Sequence, residues 1–231
     1  MASWDADALS ELRAAVFRGD GAAALGVLRN RPLAPVLQFA GDALARALAE
    51  GERDAEPLAR KCREALESRA APGDAVLARK LARALGDAPH DGTEIVPVDL
   101  GALAYAMEEG DPLTILDLRT GDLLTEDELD EVNELEEPQE LGEPEVLDED
   151  HDRVFKAVHR NASPAYDDMH DFAEARPNTP APMQDVRAYE DALAGTDLEF
   201  AWRLFHEERQ RGRARQWLAE NGLEPGPKPV L

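Results

Sequence analysis

The chain has 231 residues, enough for one large domain or two small ones. Its 49 acids against 25 bases give a formal net charge of −24, which argues against phosphate-binding surfaces and favours basic surfaces or divalent cations as partners. The one cysteine, Cys62, excludes an intramolecular disulfide framework and a thiol-based zinc site.

The N-terminus has neither the basic n-region nor the apolar h-region of a secretory signal. No apolar run approaches the roughly 18 residues of a membrane span. The expectation is a cytoplasmic protein without a membrane partner.

Residues 1–88 predict a helical bundle. Punctuation and apolar spacing mark about five short helices. The first runs from Asp7 to Arg18 on Leu9, Leu12, Val16 and Phe17. The second runs from Asp20 to Asn30, and Pro32 follows it. The third covers 35–50 with Val36, Leu37, Phe39 and Leu44 on its apolar side. The fourth covers 55–69 and places Cys62 in a stripe with Leu58 and Leu66, the spacing of a buried thiol. The fifth covers 74–85 with Val76, Leu77, Leu81 and Leu85. Turns of a few residues between them imply antiparallel packing.

The polar stretch 89–97 reads as a linker, and residues 98–224 as an α+β domain. Asp99 can cap a helix bearing Leu100, Leu103 and Met107 that stops at Gly110. Leu113–Leu118, Arg119-Thr-Gly-Asp122 and Leu123-Leu124 read as a β-hairpin. Thr125 and Glu128 have capping-box spacing, opening a helix with Leu129, Val132 and Leu135 that Pro138 ends.

This helix falls inside the strongest feature of the chain. Residues 122–152 hold sixteen Asp and Glu and no Lys or Arg, −16 of the total charge. Like-charge pairs such as Glu126/Asp130 and Asp130/Glu134 each cost about 0.2–0.5 kcal/mol on a helix. The helix therefore needs an apolar or basic surface to dock on. Residues 139–152 lack two-face periodicity and read as a mobile acidic linker.

Beyond it, Val154–Val158 suggests a strand. Ser163-Pro164 suggests a capped helix start, with Tyr166, Met169, Phe172 and Ala173 on one side. Pro177, Pro180 and Pro182 enforce a loop, and a short helix covers Val186–Leu193. Thr196 and Glu199 have the spacing of a second capping box for a helix running to about Glu220, with Asn221-Gly222 as its stop. Residues 225–231 read as a flexible tail. The fold class expected is mainly α with a small α+β part: an N-terminal helical bundle, then a domain with a β-hairpin and amphipathic helices.

Four stretches carry a family resemblance: Val98–Leu103 with the hairpin and its Thr-Gly turn, the acidic helix after it, Ala165-Tyr-Asp-Asp-Met-His-Asp-Phe172, and the closing Ala201–Glu220 segment with its Trp202 and Arg213-Ala-Arg-Gln-Trp-Leu218. Together they resemble uncharacterised protein family (UPF) zero-one-five-eight over roughly residues 97–224. The family's Arg- and Phe-rich segment before the last helix is reduced here to Val186–Leu193. The resemblance implies a fold and brings no activity with it.

No phosphate loop, nucleophile elbow, zinc-binding histidine helix or triad context occurs. No catalytic, cofactor-binding or metal-binding residue is assigned, and no cofactor is expected. Two readings compete with a plain binding protein. Two clusters, Asp148, Asp150, His151 and Asp152 and then Asp167, Asp168, His170 and Asp171 (with Asp167, His170 and Asp171 on one helix face), could serve a metal-dependent hydrolase or nuclease. The acidic run could instead imitate a nucleic acid.

The preferred reading is a non-enzymatic binding or adaptor protein that engages a protein with a basic surface. The residues that would carry it are Glu126, Asp127, Asp130, Glu131 and Glu134 from the acidic run. Trp202, Phe205, Arg209 and Arg213 from the last helix complete the set. The arginines of that helix could alternatively receive the acidic run in an internal dock. Strong overall acidity speaks against direct nucleic-acid binding.

Overall fold

Short caps and small apolar residues fold the first 85 positions into closely packed helices. In the computed structural model, residues 3–90, 92–129, 155–176 and 178–227 are described. Helices α1 (Ala6–Phe17), α2 (Gly21–Leu28), α3 (Leu37–Ala49), α4 (Glu56–Arg69) and α5 (Asp74–Ala84) pack in sequence. Two of them open on aspartate caps. Asp5 accepts the Ala8 N–H and Asp20 accepts the Ala23 N–H, an interaction worth about 1 kcal/mol each. The first helix thus opens at Ala6, one residue earlier than Asp7, with its cap at Asp5. Leu12, Leu25, Phe39, Leu44, Cys62, Leu66 and Leu77 meet in one buried core.

Residues 89–97, expected as linker, include strand β1 (Glu94–Val96). It pairs in parallel with β5 (Leu223–Pro225), which follows the last helix and takes in the start of the expected tail. Helix α6 (Leu100–Glu108) lies between, capped as expected by Asp99, which accepts the Gly101 N–H at 2.7 Å.

The expected hairpin forms from β2 (Leu113–Asp117) and β3 (Leu123–Leu124). Its turn is held by Asp117, whose side chain accepts the Arg119 N–H at 2.7 Å. Gly121 sits at φ +71° with Pro97 pressed so close that a Cβ would lie 1.9 Å from its carbonyl oxygen. Only glycine meets both demands. Strand β4 (Phe155–His159) pairs antiparallel on the other side of β2, giving the sheet order β3-β2-β4. Residues 125–154 therefore connect two parallel edge strands, a connection that needs a dozen or more residues.

The capping box at the head of that connection is present. Glu128 accepts the Thr125 N–H at 2.8 Å, and the Thr125 hydroxyl accepts the Glu128 N–H at 3.3 Å. Residues 126–129 are helical. The rest of the expected helix, with Val132 and Leu135, and the linker 139–152 lie outside the described residues, as does Val154.

Helix α7 (Ser163–Ala175) starts differently from expectation. Ser163 is already helical and makes no side-chain cap; the Asn161 side chain accepts the Ser163 N–H instead. Helix α8 (Val186–Leu193) is capped by Asp185. Helix α9 (Glu199–Glu220) ends as expected at Asn221, but Thr196 and Glu199 form no reciprocal box. Glu199 reaches back to the Gly195 N–H at 2.7 Å, and Thr196 donates to the Leu193 carbonyl.

Helix α9 organises everything else. Its 22 residues span about 33 Å. Leu204 joins the N-terminal core. Ala214 and Leu218 join a second core with α6, Leu116 of β2 and Val158 of β4. Trp202 centres a third core with Met169, Phe172, Tyr189 and Leu193. The chain is mainly helical with a small sheet part, and one helix ties its regions together.

Candidate functional site

A helix buried on several sides cannot leave its charges in water, so the polar residues of α9 must find partners inside. Glu208 is 3% exposed, and its carboxylate accepts the N–H of Gln38 at 2.9 and 3.0 Å and of Phe39 at 3.3 Å. These are free amides at the start of α3, whose own cap position holds Val36 and offers no side-chain acceptor. A carboxylate there also meets the positive end of the α3 dipole. Burial pushes the Glu208 carboxyl up to about 7, against the opposing pull of Arg69 and the two amides.

Two turns further, the fully buried Arg215 donates to the Gln38 side chain at 2.8 Å and to Asp42 at 2.6 Å. Gln38 in turn donates to Asp74, which Arg69 grips with two nitrogens. Burial acts to raise the Asp42 carboxyl, but Arg215 and Lys80 outweigh it and hold it well below the usual carboxylate range. Two glycines allow this close docking. A Cβ on Gly212 would lie 2.4 Å from the Pro72 carbonyl oxygen, and one on Gly73 would lie 2.1 Å from the Gly212 oxygen.

On the far side of α9, Asp168 of α7 is the centre of a cationic cluster. Arg213 donates to both its oxygens, at 3.0 and 2.7 Å. Arg209 forms an ion pair with it at 2.6 Å and with Asp171 at 2.7 Å. His206 Nδ1 lies 2.8 Å away and must carry the proton, because an ionised carboxylate only accepts. Burial works to raise the Asp168 carboxyl; the bonds from His206 and Arg213 reverse that and lower it. His206 stacks on Trp202 at 4.8 Å, and Arg213 reaches on to Glu108 of α6.

A cleft of about 350 Å³ opens between the N-terminal helices and the β1–β5 edge. Small side chains such as Ala15, Ala43 and Ala45 form part of its lining, and Lys80, Arg83, Asp42, Asp99 and Glu224 supply charge. Lys80 binds Asp42 at 3.2 Å and Arg83 pairs with Glu224. Arg211 of α9 also lines the cleft. It is 8% exposed and lies over the face of Phe39, 4.1 Å from the ring centroid. Its buried Nε has no hydrogen-bond partner among the described residues.

No protein-family model, curated protein or solved structure matches this chain.

The residues expected to meet a partner are thus divided. Glu126 and Asp127 are exposed beside the Thr125 cap. Asp130, Glu131 and Glu134 lie outside the described residues. Trp202 is fully buried and Phe205 is half-buried against it, so the indole faces a core and not a partner. Arg209 and Arg213 face inward to Asp168.

The face expected to gather Asp167, His170 and Asp171 is dispersed. His170 rests against Tyr166, and Arg209 draws Asp171 away. Among the described residues no three His, Cys, Asp or Glu side chains converge on a metal position, and no helix is long and apolar enough to cross a membrane. Asp148, Asp150, His151 and Asp152 lie outside the described residues.

Sequence reasoning missed Glu208; it read Asp168 only as part of an Asp/His cluster, and Arg211 and Arg215 only as arginines of a solvated or partner-binding face. Glu208, Arg211 and Arg215 recur at three- and four-residue spacing on α9, as buried residues do, yet their charge made that side look solvated. Cys62 is where the stripe placed it, fully buried with its Sγ 3.7 Å from the Leu37 carbonyl oxygen. Burial pushes its thiol up to about 12.

Proposed function

We propose that this chain is a non-enzymatic binding or adaptor protein that engages a basic surface of another protein through the acidic run 122–152. The observation that supports it most is the fate of the arginines on α9. The acidic run needs a counter-charge, and the Arg-rich helix is the internal source the sequence offers. Arg209 and Arg213 are neutralised by Asp168, Asp171 and Glu108, and Arg215 by Asp42. Arg203 pairs with Glu199. Of the α9 arginines, Arg211 alone lacks an ion pair among the described residues, and it is 8% exposed, over the ring of Phe39. Cations that are already paired or buried are poor receivers for sixteen further carboxylates, so the counter-charge belongs to another molecule.

The position of the run fits that role. Its first residues include β3, and β4 follows it in the chain, so the described residues at either side of it belong to the sheet around β2. Charged to this degree, it would speed encounter with a basic partner and make binding sensitive to salt.

The test compares the full chain with a variant carrying Glu126→Gln, Asp127→Asn, Asp130→Asn, Glu131→Gln and Glu134→Gln in affinity purification over a salt series. The expected result is a partner retained by the native chain, lost from the variant and released by salt. Identical partner sets would remove the acidic run from the mechanism. A partner displaced by duplex DNA would shift the reading to nucleic-acid imitation.

A further inference from the structure

Arg211 is the one arginine of α9 for which the folded chain supplies neither a hydrogen bond nor an ion pair among the described residues. A guanidinium stays charged at any ordinary pH, and an uncompensated buried charge is costly. Its neighbours on α9 solve this problem with carboxylates. Burial works against its charge, as does Arg215; Asp42, Glu207 and Asp99 favour it only from beyond ion-pair distance, and Phe39 offers only its ring face. Gly101 makes room: a Cβ there would approach Arg211 Nη1 to 3.4 Å. The arrangement leaves donors of a planar fork directed at no protein acceptor, in the wall of a cleft.

We propose that this cleft binds a small organic monocarboxylate, its carboxylate on the Arg211 guanidinium and its apolar part against Ala43 and Ala45. The planar fork of arginine matches a carboxylate with two parallel hydrogen bonds. The volume of about 350 Å³ lies within the range of small-molecule sites, roughly 300–1,000 Å³. The walls select for a single charge. Lys80 and Arg83 are already held by Asp42 and Glu224, and Arg46 by Glu50, so a second negative charge would meet acids and no spare arginine or lysine. The site is independent of the acidic run, and neither reading stands on the other.

The experiment titrates the full chain with isovalerate, benzoate and inorganic phosphate, following the Arg211 Nε–Hε resonance and the melting temperature. Saturable shifts of that resonance, with a raised Tm, are expected for the two carboxylates and not for phosphate. Arg211→Met should weaken carboxylate binding about tenfold or more, the scale of a lost charged hydrogen bond. Exchanging an unpaired buried charge for an apolar side chain of similar length should leave the fold intact. Ala43→Leu, which keeps Arg211 and narrows the cleft where the apolar part would lie, should weaken binding as well. Absence of saturation with both carboxylates, equal response to phosphate, or binding untouched by Arg211→Met would each overturn the proposal.

Discussion

The carboxylate of Glu208 closes the first turn of α3 from 170 residues along the chain, receiving the Gln38 N–H on both its oxygens. A helix cap supplied from so far along the chain couples the N-terminal bundle to α9, and makes that coupling titratable. The folded carboxyl holds its proton up to about 7, whereas its ordinary value is 4.5. Between those values the folded state binds more protons than the unfolded one, so this group's contribution is full below 4.5 and is lost as pH rises through 7. Glu208→Gln fixes the protonated shape. Its melting temperature relative to the native chain should rise steadily from about pH 5 to about pH 8. An offset that stays constant across that range would show that Glu208 does not titrate there.

Asp168 neutralises two arginines and meets His206, so its charge matters more than any one of its partners. Asp168→Asn keeps the shape and leaves Arg209 and Arg213 facing each other in a half-dry site. The expected cost is about 3–5 kcal/mol, read as a lowered urea midpoint with an unchanged slope. Arg209→Met should cost clearly less, because Arg213 and His206 still face the carboxylate and Arg209's other partner, Asp171, is half exposed. Equal losses from the two variants would mean that packing, not charge, dominates the cluster.

Gly212 and Gly26 give a paired test of backbone contact. Both lie within helices, where alanine is worth up to about 1 kcal/mol over glycine. A Cβ at Gly26 meets nothing within 4 Å, so Gly26→Ala should stabilise by that amount. At Gly212 the Cβ would press on the Pro72 carbonyl, a backbone atom that cannot rotate aside. Overpacking of this kind costs about 1–3 kcal/mol, so Gly212→Ala should destabilise. Thermal melts of the two single variants decide it, and a stabilised Gly212→Ala would show that α9 does not sit against the α4–α5 turn.

The legible parts of the fold were those whose signals are local. Asp20 and Asp99 cap helices because their side chains reach amides two or three residues on. The Arg119-Thr-Gly-Asp122 turn announced itself, as did the Thr125/Glu128 box. Ser163 and Thr196 misled because capping spacing says nothing about where the chain enters a helix; Asn161 and the Gly195 amide took the roles instead. β1 was hidden because three residues of β-prone sequence earn a strand only when a partner strand is brought to them, and β5 arrives from position 223.

The sequence by itself determined the helical bundle, the hairpin, the buried Cys62 and the charge of the run 122–152, since periodicity, turn chemistry and composition act over a few residues. It could not decide what the charges of α9 face. Arg209 and Arg213 looked like a solvated or partner-binding surface, and only the tertiary structure turned them onto Asp168, set Glu208 on the first turn of α3, and left Arg211 in a cleft wall without a carboxylate. The physical reason is that burying a charge depends on partners distant in the chain, and only the packing of α9 between three cores brings those partners within reach.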